Sequence, residues 1–210
     1  MAIPRIQPYP LPSAGELPPS RVSWKPSRAR IALLIHDMQR YFVNAFEPGA
    51  EQIVQATANI RALRDRFNDI GAPVFFTAQP GQQDPRDRGL QRDFWGPGMS
   101  SDPEHQAMVG ELSPLPHEFV LTKWRYSAFQ RSNLAAMMRA RGRDQLVVTG
   151  VYAHIDCLLT AADAFMHDFE PFFVADAVAD FSREKHDHAV AYTAGCCAAP
   201  MTTDCLLRLL

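Results

Sequence analysis

The chain has few of the features that would mark a membrane, nucleic-acid or zinc protein. Its four cysteines, Cys157, Cys196, Cys197 and Cys205, form no C-x-x-C pair, and no histidine cluster stands at zinc spacing. Adjacent Cys196 and Cys197 are poor partners for each other, so reduced thiols in a cytosolic protein are expected. No apolar run approaches the ~20 residues that span a bilayer. The stretch from Met1 to Pro26 is rich in proline and lacks the apolar centre of a signal peptide. A soluble, cytoplasmic chain with no membrane partner is the expectation. Lys and Arg number 21 against 23 Asp and Glu, a formal charge of -2. Without the basic excess of a nucleic-acid binder, no nucleic-acid partner is expected. A small anionic substrate stays compatible, because local positive groups matter more than net charge. There is no G-x-S-x-G elbow, no glycine-rich phosphate loop and no H-E-x-x-H.

What is present suits one domain. The 210 residues are 47% hydrophobic, enough to bury a core without a metal or disulfide staple. Residues 1–28 carry prolines at 4, 8, 10, 12, 18, 19 and 26. Proline fixes φ and removes a donor, so an extended arm is expected there, wrapped over the body or a partner subunit. Residues 29–210 read as a single domain without internal repeats. Short apolar runs alternate with amphipathic stretches: strands over 31–36, 73–77, 118–121, 145–149 and 172–175, with a weaker one over 200–203. Between them, helices are expected over 50–70 (ended by Gly71), 132–141 (with Ser132 as N-cap), 157–168 and 183–195. This alternation predicts an α/β fold of three layers, with helices on both faces of a mostly parallel sheet of about six strands.

In such folds ligands bind beyond the carboxyl ends of the strands. That rule selects Asp37, Gln79, Lys123 and the segment Tyr152–Asp156, each directly after a strand. A carboxylate at a buried strand end is costly unless it is paired or functional, and Lys123 could orient Asp37 or bind an anion. Arg88 and Arg125 are candidates for a carboxylate, since a guanidinium makes bidentate contacts. Gln79 and Tyr152 could give neutral hydrogen bonds. Phe42, Trp95, Tyr126 and Phe181 could form apolar walls, although each taken alone is as well suited to the core. Asp176 and Asp180 are expected to cap or orient loops. His154 suits either a structural hydrogen bond or a general base.

These segments resemble the isochorismatase family. The resemblance rests on Leu34-Ile35-His36-Asp37-Met38-Gln39-Arg40-Tyr41-Phe42, Thr77-Ala78-Gln79-Pro80-Gly81, Asp93-Phe94-Trp95-Gly96-Pro97-Gly98, Lys123-Trp124-Arg125-Tyr126-Ser127-Ala128-Phe129, Gly150-Val151-Tyr152-Ala153-His154-Ile155 and Val174-Ala175-Asp176-Ala177-Val178-Ala179-Asp180-Phe181-Ser182. It covers essentially the whole chain, including the proline arm near Trp24. It is closest to the siderophore-pathway isochorismatases and to the phenazine-pathway enzymes acting on aminodeoxyisochorismate. The resemblance implies a homodimer without metal or cofactor, and a non-proline cis peptide near Val151–Tyr152. It implies Asp37 as catalytic acid, working with Lys123, and Gln79, Arg88 and Tyr152 as substrate contacts. The implied reaction protonates the terminal carbon of an enolpyruvyl vinyl ether, adds water and releases pyruvate. Siderophore-type relatives often carry a phosphopantetheine carrier domain. This sequence ends at Leu210 without one, which leaves a separate carrier protein as a partner.

The sequence departs from the family at one position. Related amidohydrolases place a nucleophilic cysteine at the helix start after Gly150, and isochorismatases usually place glycine there. This chain has Asp156. Cys157 follows it, about 100° further round the helix, and so is expected to point elsewhere. Three roles for Asp156 stay open: a helix cap, a second carboxylate that keeps a proton in the site, or a charge that repels substrate. The last would make the chain a catalytically weak isochorismate-binding or scaffold protein.

Overall fold

Ile31–His36 (β1) is buried at every position, and its side chains divide by parity. Ile31, Leu33 and Ile35 enter one apolar cluster, and Ala32 and Leu34 enter the other. A strand apolar on both faces belongs inside a sheet covered on both sides. The computed structural model, which describes residues 3–210, has that form. Val74–Ala78 (β2), Phe119–Thr122 (β3), Gln145–Val151 (β4), Glu170–Ala179 (β5) and Ala199–Met201 (β6) complete a six-stranded sheet ordered β3-β2-β1-β4-β5-β6. Every pairing is parallel.

The helices of the chain are Arg40–Val43 (α1), Glu51–Asp69 (α2), Pro85–Arg88 (α3), Gln91–Trp95 (α4), Pro103–Gln106 (α5), Leu134–Ala140 (α6), Leu158–Met166 (α7), Arg183–Cys196 (α8) and Thr203–Leu209 (α9). In α2, Ile53, Ala56, Ile60, Leu63 and Phe67 form one buried stripe at the helical repeat. That stripe joins Leu206 of α9 on one face of the sheet. Leu134 and Met138 of α6, Ala161 of α7 and Ala189 of α8 cover the other face. The strand order reverses between β1 and β4, so a crevice opens above their carboxyl ends.

The expected strands and long helices are all present, with shifted ends. The sixth strand stops at Met201 rather than Thr203. Thr202 instead caps α9, accepting from the Cys205 N–H at 3.3 Å. The segment Cys205-Leu206-Leu207 therefore packs on its own chain, with Leu206 fully buried. Helix α6 begins at Leu134 behind Asn133 rather than Ser132, although the Ser132 Oγ still accepts from Leu134 N–H at 3.3 Å. The short helices α3, α4 and α5, between β2 and β3, were not expected.

The arm, predicted over 1–28, is described from Ile3, since Met1 and Ala2 lie outside the described residues. It wraps over its own body. Ile6 exchanges backbone hydrogen bonds with Ala45 and Glu47. The Tyr9 hydroxyl accepts from Asp180 N–H at 2.7 Å and lies 3.1 Å from His186 Nδ1. Among the described residues no helix is long and apolar enough to cross a membrane.

Gly150 brings β1 and β4 together at the crevice. It has φ +105, and a Cβ there would stand 2.2 Å from the His36 carbonyl oxygen. Gly150→Ala should therefore cost about 2–4 kcal/mol, from left-handed strain plus overpacking. Urea denaturation checks this, and a midpoint equal to the parent's would refute the close approach.

Candidate active site

Four polar side chains meet where β1, β2 and β3 end. Asp37 follows β1 at φ 44, and three donors converge on it. Thr77 Oγ donates to Oδ1 at 2.6 Å, while Gln79 Nε2 at 3.1 Å and Lys123 Nζ at 2.6 Å donate to Oδ2. Thr77 and Gln79 sit two residues apart, hence on the same side of their strand. Lys123 also donates to Asp156 Oδ1, so one ammonium bridges two carboxylates. Both partners are buried, with Lys123 2% and Asp37 1% exposed. Burial would push the lysine down, but the charges of Asp156 and Asp37 outweigh it and hold its pKa above the usual lysine value.

Proton counting fixes the hydrogen bonds beneath Asp37. The Thr77 hydroxyl has one proton, directed at Asp37, so it accepts from His36 Nδ1–H at 3.1 Å. His36 Nε2 then accepts from Thr160 Oγ at 2.8 Å, and Thr160 Oγ accepts from Ala128 N–H at 3.0 Å. Burial pushes His36 down to about 3, which keeps it neutral for this role.

Asp156 reaches the site from Ala153–Cys157, a single π-helical turn ahead of α7. Such turns often occur at functional sites. Its Oδ2 accepts from Tyr152 N–H at 3.2 Å. The carboxylate does not cap α7: the N-cap position there is Cys157, and among the described residues the Asp156 oxygens accept from Lys123 and Tyr152 N–H, not from the first N–H groups of α7. Burial, reinforced by the charge of Asp37, pushes the Asp156 carboxyl up to about 6 against the pull of Lys123. Cys157 turns the other way. It is fully buried, 3.7 Å from the Thr149 carbonyl, and burial raises its thiol well above the usual value. It does not line the cavity, so it lacks the access a nucleophile needs.

Above this cluster lies a tight cavity with about 40 Å³ of free volume. Phe42, Gln79, Arg88, Trp95, Tyr126, Tyr152, Asp156 and Phe181 all line it, as the sequence suggested. Asp37 and Lys123 lie behind that lining. Trp95 Nε1 donates to Tyr126 Oη at 2.8 Å, which fixes one wall. Phe181 packs on Tyr152 with ring centroids 4.3 Å apart.

Arg88 is the cavity's cation. Its Nη1 donates to Gln79 Oε1 at 3.1 Å and its Nε to the Gly96 carbonyl at 3.2 Å. Gly98 makes room for it, since a Cβ there would stand 3.0 Å from the guanidinium carbon. Two expectations change. The Tyr152 hydroxyl donates to the Phe42 carbonyl at 2.8 Å rather than facing a ligand unpaired. Arg125 donates to the Asp87 and Trp124 carbonyls and does not line the cavity.

Asp180 and Asp176 orient loops as expected. Asp180 accepts from His154 N–H at 2.6 Å and meets His154 Nδ1 at 2.6 Å, which gives His154 a structural partner. Asp176 accepts from Thr203 N–H at 2.7 Å. Sequence reasoning missed Thr77, Tyr41, Gln91 and the arm residue Ile3, whereas Ile155 belongs to the segment it selected. Thr77 was detectable from its parity with Gln79 and Tyr41 from its place beside Phe42, whereas nothing in the sequence signals Ile3.

A parallel sheet reversing between β1 and β4 thus carries a lysine-bridged carboxylate pair under an aromatic cavity, at the place where such sheets bind small molecules. The chain belongs to the isochorismatase family, whose domain model matches residues 31–205. It is 56% identical over 207 residues to an isochorismatase of Bacillus subtilis, covering 99% of this chain and 66% of the relative. It is 49% identical to enterobactin synthase component B of Escherichia coli, over 99% of this chain and 73% of that protein. With phenazine biosynthesis protein PhzD1 of Pseudomonas aeruginosa the identity is 47%, over 98% and 99%. The chain thus spans just under two thirds of the Bacillus relative's length. Among solved structures, an isochorismatase family protein of Desulfovibrio vulgaris superposes with a TM-score of 0.75 at 25% identity, over 85% of this chain and 96% of that one. These relatives do not favour the binding-protein alternative.

The Asp156 carboxyl gives a pH-dependent prediction. Its native value is raised from the usual 3.8 to about 6. Its contribution to stability is thus full below 3.8 and is lost as pH rises through 6. Asp156→Asn removes that titration. From about pH 4 to pH 7 the stability difference should move in the variant's favour by up to about 3 kcal/mol. Urea midpoints measure it, and a difference independent of pH would contradict the raised value.

Proposed function

We propose that the chain hydrolyses the enolpyruvyl vinyl ether of isochorismate or 2-amino-2-deoxyisochorismate to pyruvate and a dihydro-hydroxybenzoate or dihydro-hydroxyanthranilate. The observation that carries this reading is the pairing of one cavity cation, Arg88, with a lysine-bridged carboxylate pair, Asp37 and Asp156, under an aromatic enclosure. A vinyl ether persists in neutral water until its terminal carbon takes a proton, and the resulting oxocarbenium ion then captures water. The site must therefore offer an acid that holds its proton more tightly than a free carboxyl, and burial raises one member of the carboxylate pair, Asp156, to about 6. It must also bind an anion, which suits Arg88. Gln79 links the two functions, with its carbonyl on Arg88 and its amide on Asp37. Trp95, Tyr126, Phe42 and Phe181 would enclose the ring and the enolpyruvyl group.

The proposal includes a homodimer acting in the cytoplasm, an arm over 1–28 with one hydrolase domain over 29–210, and a separate carrier protein. Each of these rests on the family resemblance and the sequence. The names of the relatives point to siderophore or phenazine biosynthesis as the setting.

Pyruvate release from each of the two vinyl ethers tests the function, and the better substrate names the setting. Silence on both would overturn the proposal. Arg88→Met should raise KM ten- to a hundredfold, a loss of about 1.4–2.7 kcal/mol of binding, with a smaller change in kcat. An unchanged KM would remove Arg88 from substrate binding.

A further inference from the structure

Among the described residues that line the cavity, Asp156 is the only acidic one and Arg88 the only basic one. The Asp156 Oδ1 is held by Lys123, and its Oδ2 accepts only from Tyr152 N–H, at 3.2 Å, among the described residues. A carboxylate has about four acceptor sites, so Asp156 can still take a donor from a ligand. The lining thus presents a cation and an anion to the same ligand. Resting on the function proposed above, we propose that Asp156 is a specificity-determining residue, selecting the vinyl ether with an ammonium on its ring, 2-amino-2-deoxyisochorismate, over the one with a hydroxyl, isochorismate. Asp37 keeps the role of acid that the resemblance implies.

The ring of the amino compound carries a carboxylate on one carbon and the amine on the next. An aliphatic amine is protonated at neutral pH, so opposite charges stand on neighbouring atoms of the substrate. Arg88 suits the carboxylate and Asp156 the ammonium. A hydroxyl in the same place could donate to Asp156, but it brings no charge of its own. The ammonium adds the attraction of opposite charges, which is several-fold stronger in a partly buried site than in water. The cavity is tight, so a ring substituent meets the lining directly, with little room for intervening water.

The charge balance of the site points the same way. Arg88 and Lys123 are two cations set against the carboxyl groups of Asp37 and Asp156. Both vinyl ethers bring two carboxylates, and only the ammonium offsets one of them. Phe42, Trp95, Tyr126 and Phe181 form much of the remaining lining, and aromatic faces attract a cation. The ionisable groups that face Asp156 are Lys123 after β3, Asp37 after β1 and Tyr152 on its own segment, with Tyr41 of α1 and Arg88 of α3 elsewhere on the lining. Asp180 after β5 and Lys185 of α8 meet the same turn at His154 instead. Burial, reinforced by Asp37, raises the Asp156 carboxyl to about 6. Its charge, and the selectivity with it, therefore grows as pH rises through that value.

Steady-state kinetics on the full chain with both vinyl ethers, for the parent, Asp156→Asn and Asp156→Gly, decide the matter. The readout is the ratio of kcat/KM for the amino substrate to kcat/KM for the hydroxyl substrate, in which a general loss of activity or of folded protein cancels. The parent should favour the amino substrate at neutral pH, with a ratio about ten- to a hundredfold above that of either variant. From about pH 5 to about pH 7.5 the parent's ratio should rise, while the variants' ratios stay level. Calorimetry with the two ring products, which differ in the same amine and hydroxyl, gives a readout without turnover. The amino product should bind the parent more tightly and lose that advantage in Asp156→Asn. Pyruvate release from both ethers with a ratio unchanged in the variants, or a parent that prefers the hydroxyl substrate, would overturn the selective role and leave the proposed function standing. If the parent releases no pyruvate from either vinyl ether, the proposed function falls and the selective role falls with it.

Discussion

A single buried ammonium organises the functional end of this molecule. Lys123 lies at the end of β3, an edge strand of the sheet, yet its Nζ reaches across β2 to the carboxylate after β1 and to the turn that follows β4. A charge with 2% of its surface exposed is tolerated only where anions compensate its lost hydration. The two carboxylates must therefore converge, and the strand ends that carry them are held in register by that requirement. Breaking a buried pair on one side commonly costs 3–5 kcal/mol, so the lysine is as much a structural bond between loops as a component of the site. Gly150 belongs to the same constraint. Only a residue without Cβ lets β4 approach His36 closely enough to bring the π turn within reach of Lys123.

The second cation is coupled to the first through a neutral residue. Gln79 accepts from Arg88 with its carbonyl and donates to Asp37 with its amide. An anion drawing on Arg88 would polarise the same amide that holds Asp37, since chains of hydrogen bonds polarise one another. Beneath Asp37, the chain from Ala128 through Thr160, His36 and Thr77 points every donor toward the carboxylate. The proline arm completes the enclosure from outside the sheet. Tyr9 anchors it to the Asp180 backbone while Ile3 joins the cavity lining.

Much of this was legible in the sequence because the sheet is parallel and covered on both faces. Such strands read as continuous apolar runs, and the rule that ligands sit beyond strand ends then selects Asp37, Gln79, Lys123 and Tyr152–Asp156 without a family comparison. Arg88, Trp95 and Tyr126 were selected on residue type and resemblance. Their meeting place depends on three short helices between β2 and β3 that are too brief to show a periodic signal. The roles of Tyr152 and Arg125 were misjudged for a related reason. Both have backbone carbonyls within reach, and residue type does not reveal that a nearby carbonyl has taken the donor. Thr202 and Thr203 were read as the end of a weak strand because Pro200-Met201-Thr202-Thr203 has strand-like residues, whereas Thr202 caps and Thr203 opens a C-terminal helix that was not expected.

Asp156 shows where sequence stops and geometry begins. As a letter after a strand it fits a cap, a repelling charge or a proton carrier equally well. The cap reading lapses because the N-cap position of α7 is Cys157 and the Asp156 carboxylate accepts from Lys123 and Tyr152 N–H instead. The repelling-charge reading requires a full negative charge facing the cavity. The cluster already holds a second carboxylate and only one ammonium, and a buried site with that balance lowers its energy by retaining a proton. A neutral carboxyl repels an anion no more than an amide would. The feature that looks hostile to an anionic substrate in the sequence thus loses its charge in the fold as pH falls through about 6, because burial, reinforced by Asp37, raises the Asp156 carboxyl to that value.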